Sequence, residues 1–114
     1  MIHIANAPCS WGVLEFGLAG HTATWEQVLD EIAQTGYAGT ELGDWGFLPT
    51  DPARLRAELA RRGLQMVAGF VPVALSHPEA LSAGQALALR TARLLAETGG
   101  EHALLVLADD NGTD

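Results

Sequence analysis

Short apolar runs alternate along this chain with amphipathic helical patterns, and glycines punctuate the alternation at Gly36, Gly63 and Gly99. That rhythm constrains the fold more than any other feature. Ile2 to Ala7 reads as a first strand. Thr24-Trp25-Glu26-Gln27 forms a capping box, in which the threonine hydroxyl accepts from an amide of the first turn and Gln27 reaches back. Trp25, Val28, Leu29, Ile32 and Ala33 then recur on one helical face, and Gly36 supplies the left-handed stop. Tyr37 to Leu42 is a second strand. Asp51-Pro52 opens a second helix, with the proline at a position whose amide is unbonded anyway; Leu55 and Leu59 form its buried stripe before Gly63 ends it. Leu64 to Val73 is a third strand, apolar almost throughout. A third helix starts either at a Ser82 cap or earlier, over Ser76 to Glu79, and runs to about Thr98, and Ala103 to Ala108 is a fourth strand.

Continuous apolar strands between amphipathic helices predict an α/β chain with a parallel sheet covered by helices. The helix stops recur at intervals close to the roughly 30 residues per unit of a (β/α)8 barrel of about 250 residues. A doubly wound sheet uses similar units, although no glycine-rich phosphate loop follows any strand here. Four strands and three helices are half of such a barrel. Asp109-Asp110-Asn111-Gly112-Thr113-Asp114 reads as a strand-to-helix loop with a helix cap. The first and fourth strands would each offer an unpaired edge, and Leu104 to Ala108 carries no charge to discourage edge pairing. The expectation is therefore that residues 1–114 are one domain, the amino-terminal half of a partial TIM barrel, either a fragment of a longer enzyme or a half that completes its barrel with another chain. A self-sufficient four-stranded sheet is the alternative.

Composition narrows the function. With 14 Asp+Glu against 6 Lys+Arg, the net charge is −8, which argues against nucleic acid as a partner because backbone binding needs a basic footprint. No run approaches the roughly 18 apolar residues of a membrane span, and the start lacks a secretory pattern. A lone cysteine, Cys9, excludes an internal disulfide and suits the reducing cytoplasm.

In parallel α/β folds ligands bind at the carboxyl ends of the strands. Candidate substrate-binding residues at that rim are Trp11, Glu41, Phe70 and Asp109. Alternation puts Tyr37, Gly39, Glu41 and Gly43 on one face of the second strand and Ala38, Thr40 and Leu42 on the helix side. Glu41 then points inward, and the two glycines leave room beside it; capping a local turn or pairing with an arginine is the plainer reading. Trp11 stacks on a sugar face or, more commonly for a tryptophan, packs in a loop. Of Asp109 and Asp110 at most one faces inward, and a solvated turn explains both equally well. The histidines show no metal-ligand spacing: His3 lies in a strand, His102 at the opposite end, and only His21 and His77 in rim loops. Cys9 has no neighbouring cation to lower its pKa and reads as a small buried residue. No G-x-S-x-G elbow is present.

Asn6-Ala7-Pro8-Cys9-Ser10-Trp11-Gly12, Gly36-Tyr37-Ala38-Gly39-Thr40-Glu41-Leu42-Gly43, Gly46-Phe47-Leu48-Pro49, and Gly63-Leu64 with Gly69-Phe70-Val71-Pro72 resemble the sugar-phosphate isomerase/epimerase superfamily, most closely its inosose dehydratase branch. The resemblance runs in order along the whole chain and covers about the first two-fifths of such a protein. It implies a TIM-barrel enzyme that uses a divalent metal (Mn, Co, Mg or Zn) on a small sugar, polyol or cyclitol ketone. In that family two Glu, an Asp and a His of later strands hold the metal, so no metal ligand and no catalytic base is carried onto this segment, which alone is expected to be inactive. Glu41 and Trp11 inherit pocket-lining roles only. The chemistry implied is proton abstraction beside a carbonyl, with the enolate either reprotonated or expelling a β-hydroxyl. Apurinic endonucleases of the same superfamily place histidines after early strands, where this chain has Val71-Pro72 and Ala108-Asp109. A homo-oligomer or a separate carboxyl-terminal half is the expected protein partner. The competing function is a non-catalytic α/β module that associates or binds a small ligand.

Overall fold

The computed structural model describes residues 1–12 and 23–110; His21 and the segment from Asn111 to Asp114 lie outside them. The described residues fold into α/β structure with one four-stranded parallel sheet and three α-helices. The strands are β1 (Ala5–Asn6), β2 (Gly39–Glu41), β3 (Gln65–Val73) and β4 (Leu104–Asp109), adjacent in chain order. The helices are α1 (Trp25–Thr35), α2 (Pro52–Arg61) and α3 (Leu81–Gly99).

The local signals act much as the residues dictate. Thr24 caps α1 by accepting from the Gln27 amide at 3.2 Å, while the Gln27 side chain turns forward to Glu31 rather than back to the cap. Asp51 accepts from the Arg54 amide at 3.0 Å, with Pro52 opening α2. The third helix differs from expectation. Neither Ser76 nor Ser82 caps it; a 3-10 turn, Pro78–Ala80, feeds straight into α3 and leaves Ala80 at the cap without a side-chain bond. Gly99 stays inside the helix, and Gly100 breaks it. β1 is shorter than the six residues from Ile2 to Ala7 because only its end meets β2, through Ala5↔Gly39 and Asn6↔Thr40. The chain then turns over Pro8–Trp11.

All three helices lie on one side of the sheet. Val28, Leu29 and Ile32 of α1, Leu55 and Leu59 of α2, Leu94 and Leu95 of α3, and Leu42 and Met66 of the sheet share a single buried cluster. Parallel connections of one hand between neighbouring strands give this arrangement. Thr40, fully buried against the helices, satisfies its hydroxyl on the Glu41 carbonyl at 2.9 Å. Arg62, just past α2, lies almost wholly buried between helices, with Nε 2.6 Å from Asp30 of α1 and Nη1 2.6 Å from Glu58.

Among the described residues the opposite face of the sheet carries no helix. β3 changes phase partway along it. Thr40 pairs with Met66 but Glu41 pairs with Ala68, so one extra residue of β3 is accommodated there as a bulge. Below the bulge Met66 faces the helices; above it Gly69 does, close to Thr91 and Leu95 of α3. Gly39 sits at this seam. A Cβ there would stand 2.6 Å from the Gln65 carbonyl oxygen and 2.9 Å from Val67 Cγ1. Gly39→Ala should therefore destabilise the fold by about 1–3 kcal/mol through overpacking. Urea denaturation midpoints of the two proteins measure it, and an unchanged midpoint would mean that β2 and β3 separate without strain.

Candidate functional site

The carboxyl ends of the strands and the loops that follow them form one rim. Glu41 is the last residue of β2 and is half-buried, on the side opposite Thr40 and Leu42, the side free of helices. At the two glycines beside it neighbouring atoms approach closely. The space at Gly39 belongs to β3, and Gly43, in left-handed conformation with φ 74°, brings the backbone so close to Pro8 that a Cβ would lie 3.0 Å from Pro8 Cγ. At both glycines neighbouring atoms leave little space for a Cβ, although each also lines the edge of a concavity.

Register settles which way the other strand residues face. Phe70 pairs with Val106, lies on the helix-free side and is 36% exposed. Asp109 pairs with Val73 and shares its helix-facing side; its carboxylate accepts from the Leu75 amide at 3.1 Å and closes the loop after β3. Trp11 lies in the turn after β1, packs against the buried cluster, and donates its indole N–H to Glu31 of α1. Glu41 and Phe70 thus share one face, whereas Trp11 and Asp109 each engage a loop or helix partner. Asn6, at the end of β1, accepts from the Ala7 amide and the Ser10 hydroxyl at 2.8 and 2.7 Å, shaping that turn. Cys9 is exposed rather than buried, because Pro8 is the residue of the turn that faces inward.

Two concavities differ in character. The larger, about 530 Å³, lies at the amino ends of β1, β2 and β3, lined by His3, Ile4, Gly39, Gln65 and Val67 among others. It is an uncovered stretch of sheet at the end where packing rather than chemistry is concentrated in such folds. The smaller, about 200 Å³, lies at the rim between the loop after β2 and α3, lined by Leu42, Gly43, Asp44, Trp45, Phe70, Pro72, Leu87 and Thr91. Although smaller, it is the better candidate because it joins an ionisable group to an aromatic wall at the carboxyl end. Burial pushes the Asp44 carboxyl above its ordinary value. The Arg90 guanidinium of α3 sits 4.7 Å from the centre of the Trp45 ring and holds it in place. Asp44 and Trp45 follow β2 and so fall at the rim by chain position, whereas Arg90 meets Trp45 only through tertiary structure.

Among the described residues no three His, Cys, Asp or Glu side chains converge as a metal ion requires. His77 pairs with Glu79 at 3.3 Å and His102 lies 3.7 Å from Glu101, all on the surface. These residues do not fit a metal centre. No helix of the described residues is long and apolar enough to cross a membrane.

Comparison with known proteins gives a consistent direction. The chain is similar to the inosose dehydratase of Salmonella agona (strain SL483), 40% identical over 65 residues, or 57% of this chain and 21% of that protein. The inosose dehydratase of Geobacillus kaustophilus (strain HTA426) is 37% identical over 73 residues, 64% of this chain and 23% of that one. The rhizopine catabolism protein MocC of Rhizobium meliloti is 39% identical over 69 residues, 60% and 21%. The chain therefore matches only about a fifth of the length of these curated relatives. No protein-family model matches it, and no solved structure matches significantly.

Asp44 generates a signed pH prediction. Its folded-state carboxyl binds a proton more readily than that of the unfolded chain, so its contribution favours folding at low pH and is lost as pH rises through the folded-state pKa. Asp44→Asn removes that loss. Its melting temperature relative to wild type should rise as pH is raised from well below to well above the ordinary Asp value of about 4, and a flat difference across that range would show that burial of this carboxyl costs nothing.

Proposed function

We propose that this chain is the amino-terminal part of a cytoplasmic sugar or cyclitol dehydratase or isomerase of the inosose dehydratase kind, whose sheet continues into a (β/α)8 barrel. The observation that carries the reading is Glu41: a half-buried carboxylate at the carboxyl end of a parallel strand, on the face that no helix of the described residues covers. Consecutive strand order with every helix on one side supports barrel curvature over a doubly wound sheet, which needs helices on both. The surface supports it too. At 7121 Å², the accessible area exceeds the roughly 6,000 Å² expected of a folded 12.0 kDa monomer.

In this reading residues 1–114 form half of the barrel and the substrate is a small polyol ketone. Glu41 accepts hydrogen bonds from its hydroxyls and Phe70 supplies an apolar floor. Trp11 and Asp109 brace the loops that carry the rim. A proton is removed beside the carbonyl, and the resulting enolate expels its β-hydroxyl as water or is reprotonated. The proton-transferring groups, and the ligands of a divalent metal, come from residues outside those described.

The exposed β4 favours a second reading, a non-catalytic module that associates with another chain. Leu104, Val106 and Leu107 are 66%, 44% and 53% exposed, across both faces of the strand. Turnover separates the two. The full-length gene product should dehydrate inososes or isomerise ketoses, and Glu41→Gln should lower kcat/KM about ten- to a hundred-fold, the value of a hydrogen bond to a charged group. An unchanged kcat/KM removes Glu41 from the site. Absence of turnover on both substrate classes favours the module.

A further inference from the structure

The rim cleft has a chemistry of its own. One wall is the Trp45 ring, fixed from the α3 side by Arg90; the floor is Phe70 and Pro72 of β3; Leu42 and Thr91 close the back; and Asp44 is the ionisable group. At about 200 Å³ it is below the roughly 300 Å³ at which pockets for drug-sized ligands begin, and so suits one edge of a small ring. None of the six Lys and Arg residues lines it, although Arg90 stacks on the Trp45 ring.

We infer that Asp44 and Trp45 form a subsite for one hydroxyl-bearing edge of a neutral, unphosphorylated polyol. The inference rests on the proposed function for the reaction but makes a separate statement about binding and specificity. A sugar or cyclitol ring has an apolar C–H face, which matches the Trp45 ring, and a hydroxyl edge, which needs both a donor and an acceptor. The Asp44 carboxylate supplies the acceptor, and its partial burial makes it costly to leave unpaired. A phosphate ester has no match here. It would bring two negative charges beside Asp44 into a cleft with no cation in its lining, in a chain of net charge −8.

The experiment follows the indole N–H resonance of Trp45 in the full-length protein, assigned by its loss in Trp45→Phe, while myo-inositol and myo-inositol monophosphate are titrated in turn. Myo-inositol should shift that resonance, and the phosphate ester should bind at least tenfold more weakly. Asp44→Leu should raise the Kd for myo-inositol about tenfold, the value of one lost hydrogen bond. Asp44→Asn, whose amide oxygen still accepts, should stay within about threefold of wild type and controls for folding. No shift with myo-inositol, tighter binding of the phosphate ester, or an unchanged Kd in Asp44→Leu overturns the subsite. Turnover assayed on the same samples keeps the two claims apart. Wild type that turns over inososes with Asp44→Leu binding unchanged leaves the dehydratase reading standing without this subsite, whereas Asp44-dependent binding without turnover does the reverse.

Discussion

The bulge in β3 opposite Glu41 is the constraint on which the rest of the molecule depends. Without it, strict alternation from Met66 would send Ala68, Phe70 and Pro72 into the helices and turn Gly69, Val71 and Val73 the other way. With it, Val71 and Val73 bury against α3, Gly69 lets Thr91 and Leu95 approach, and Phe70 is released to the opposite side. One extra residue therefore completes the hydrophobic layer and delivers an aromatic ring to the face that bears Glu41. Bulges recur near functional sites for this reason: they re-aim side chains without altering strand order.

A one-sided core also explains the distribution of exposure. Burial of the leucines of α1, α2 and α3 stabilises one face of the sheet, and the other gains nothing until something covers it. β4 shows the imbalance most clearly. Its ladder to β3 is complete over six residue pairs, yet most of its side chains remain wet. Glu41 tolerates its position because that face admits water, which lowers the cost of a carboxylate at a strand end.

Much of the fold was legible in the residues. Thr24, Asp51-Pro52 and Gly36 each act through short-range backbone chemistry, and each marks the boundary it should. The start of α3 was not legible, because packing on β3 and a 3-10 lead-in replaced the serine caps that local chemistry favours. Nor was the phase change in β3, since a run that is apolar at nearly every position hides the register at which it flips. The site divides along the same line. Glu41 could be placed on its face by alternation and Phe70 at the rim by chain position, but the face of Phe70 depends on the hidden bulge, and the partners of Trp11, Asp109 and Trp45 are Glu31, Leu75 and Arg90, residues remote in sequence that no periodicity announces.

Arg62 gives the helix layer a distinct mechanical character. Its fork spans Asp30 and Glu58, and Arg56 reaches from α2 to the Glu97 carbonyl near the end of α3 at 3.1 Å. These fastenings lie toward the end of the helix layer remote from the rim, whereas the rim is held chiefly by single contacts such as Arg90 on Trp45. The layer is thus built like a hand clasped at the wrist, its charged fastenings gathered at the base and few of them reaching the fingertips.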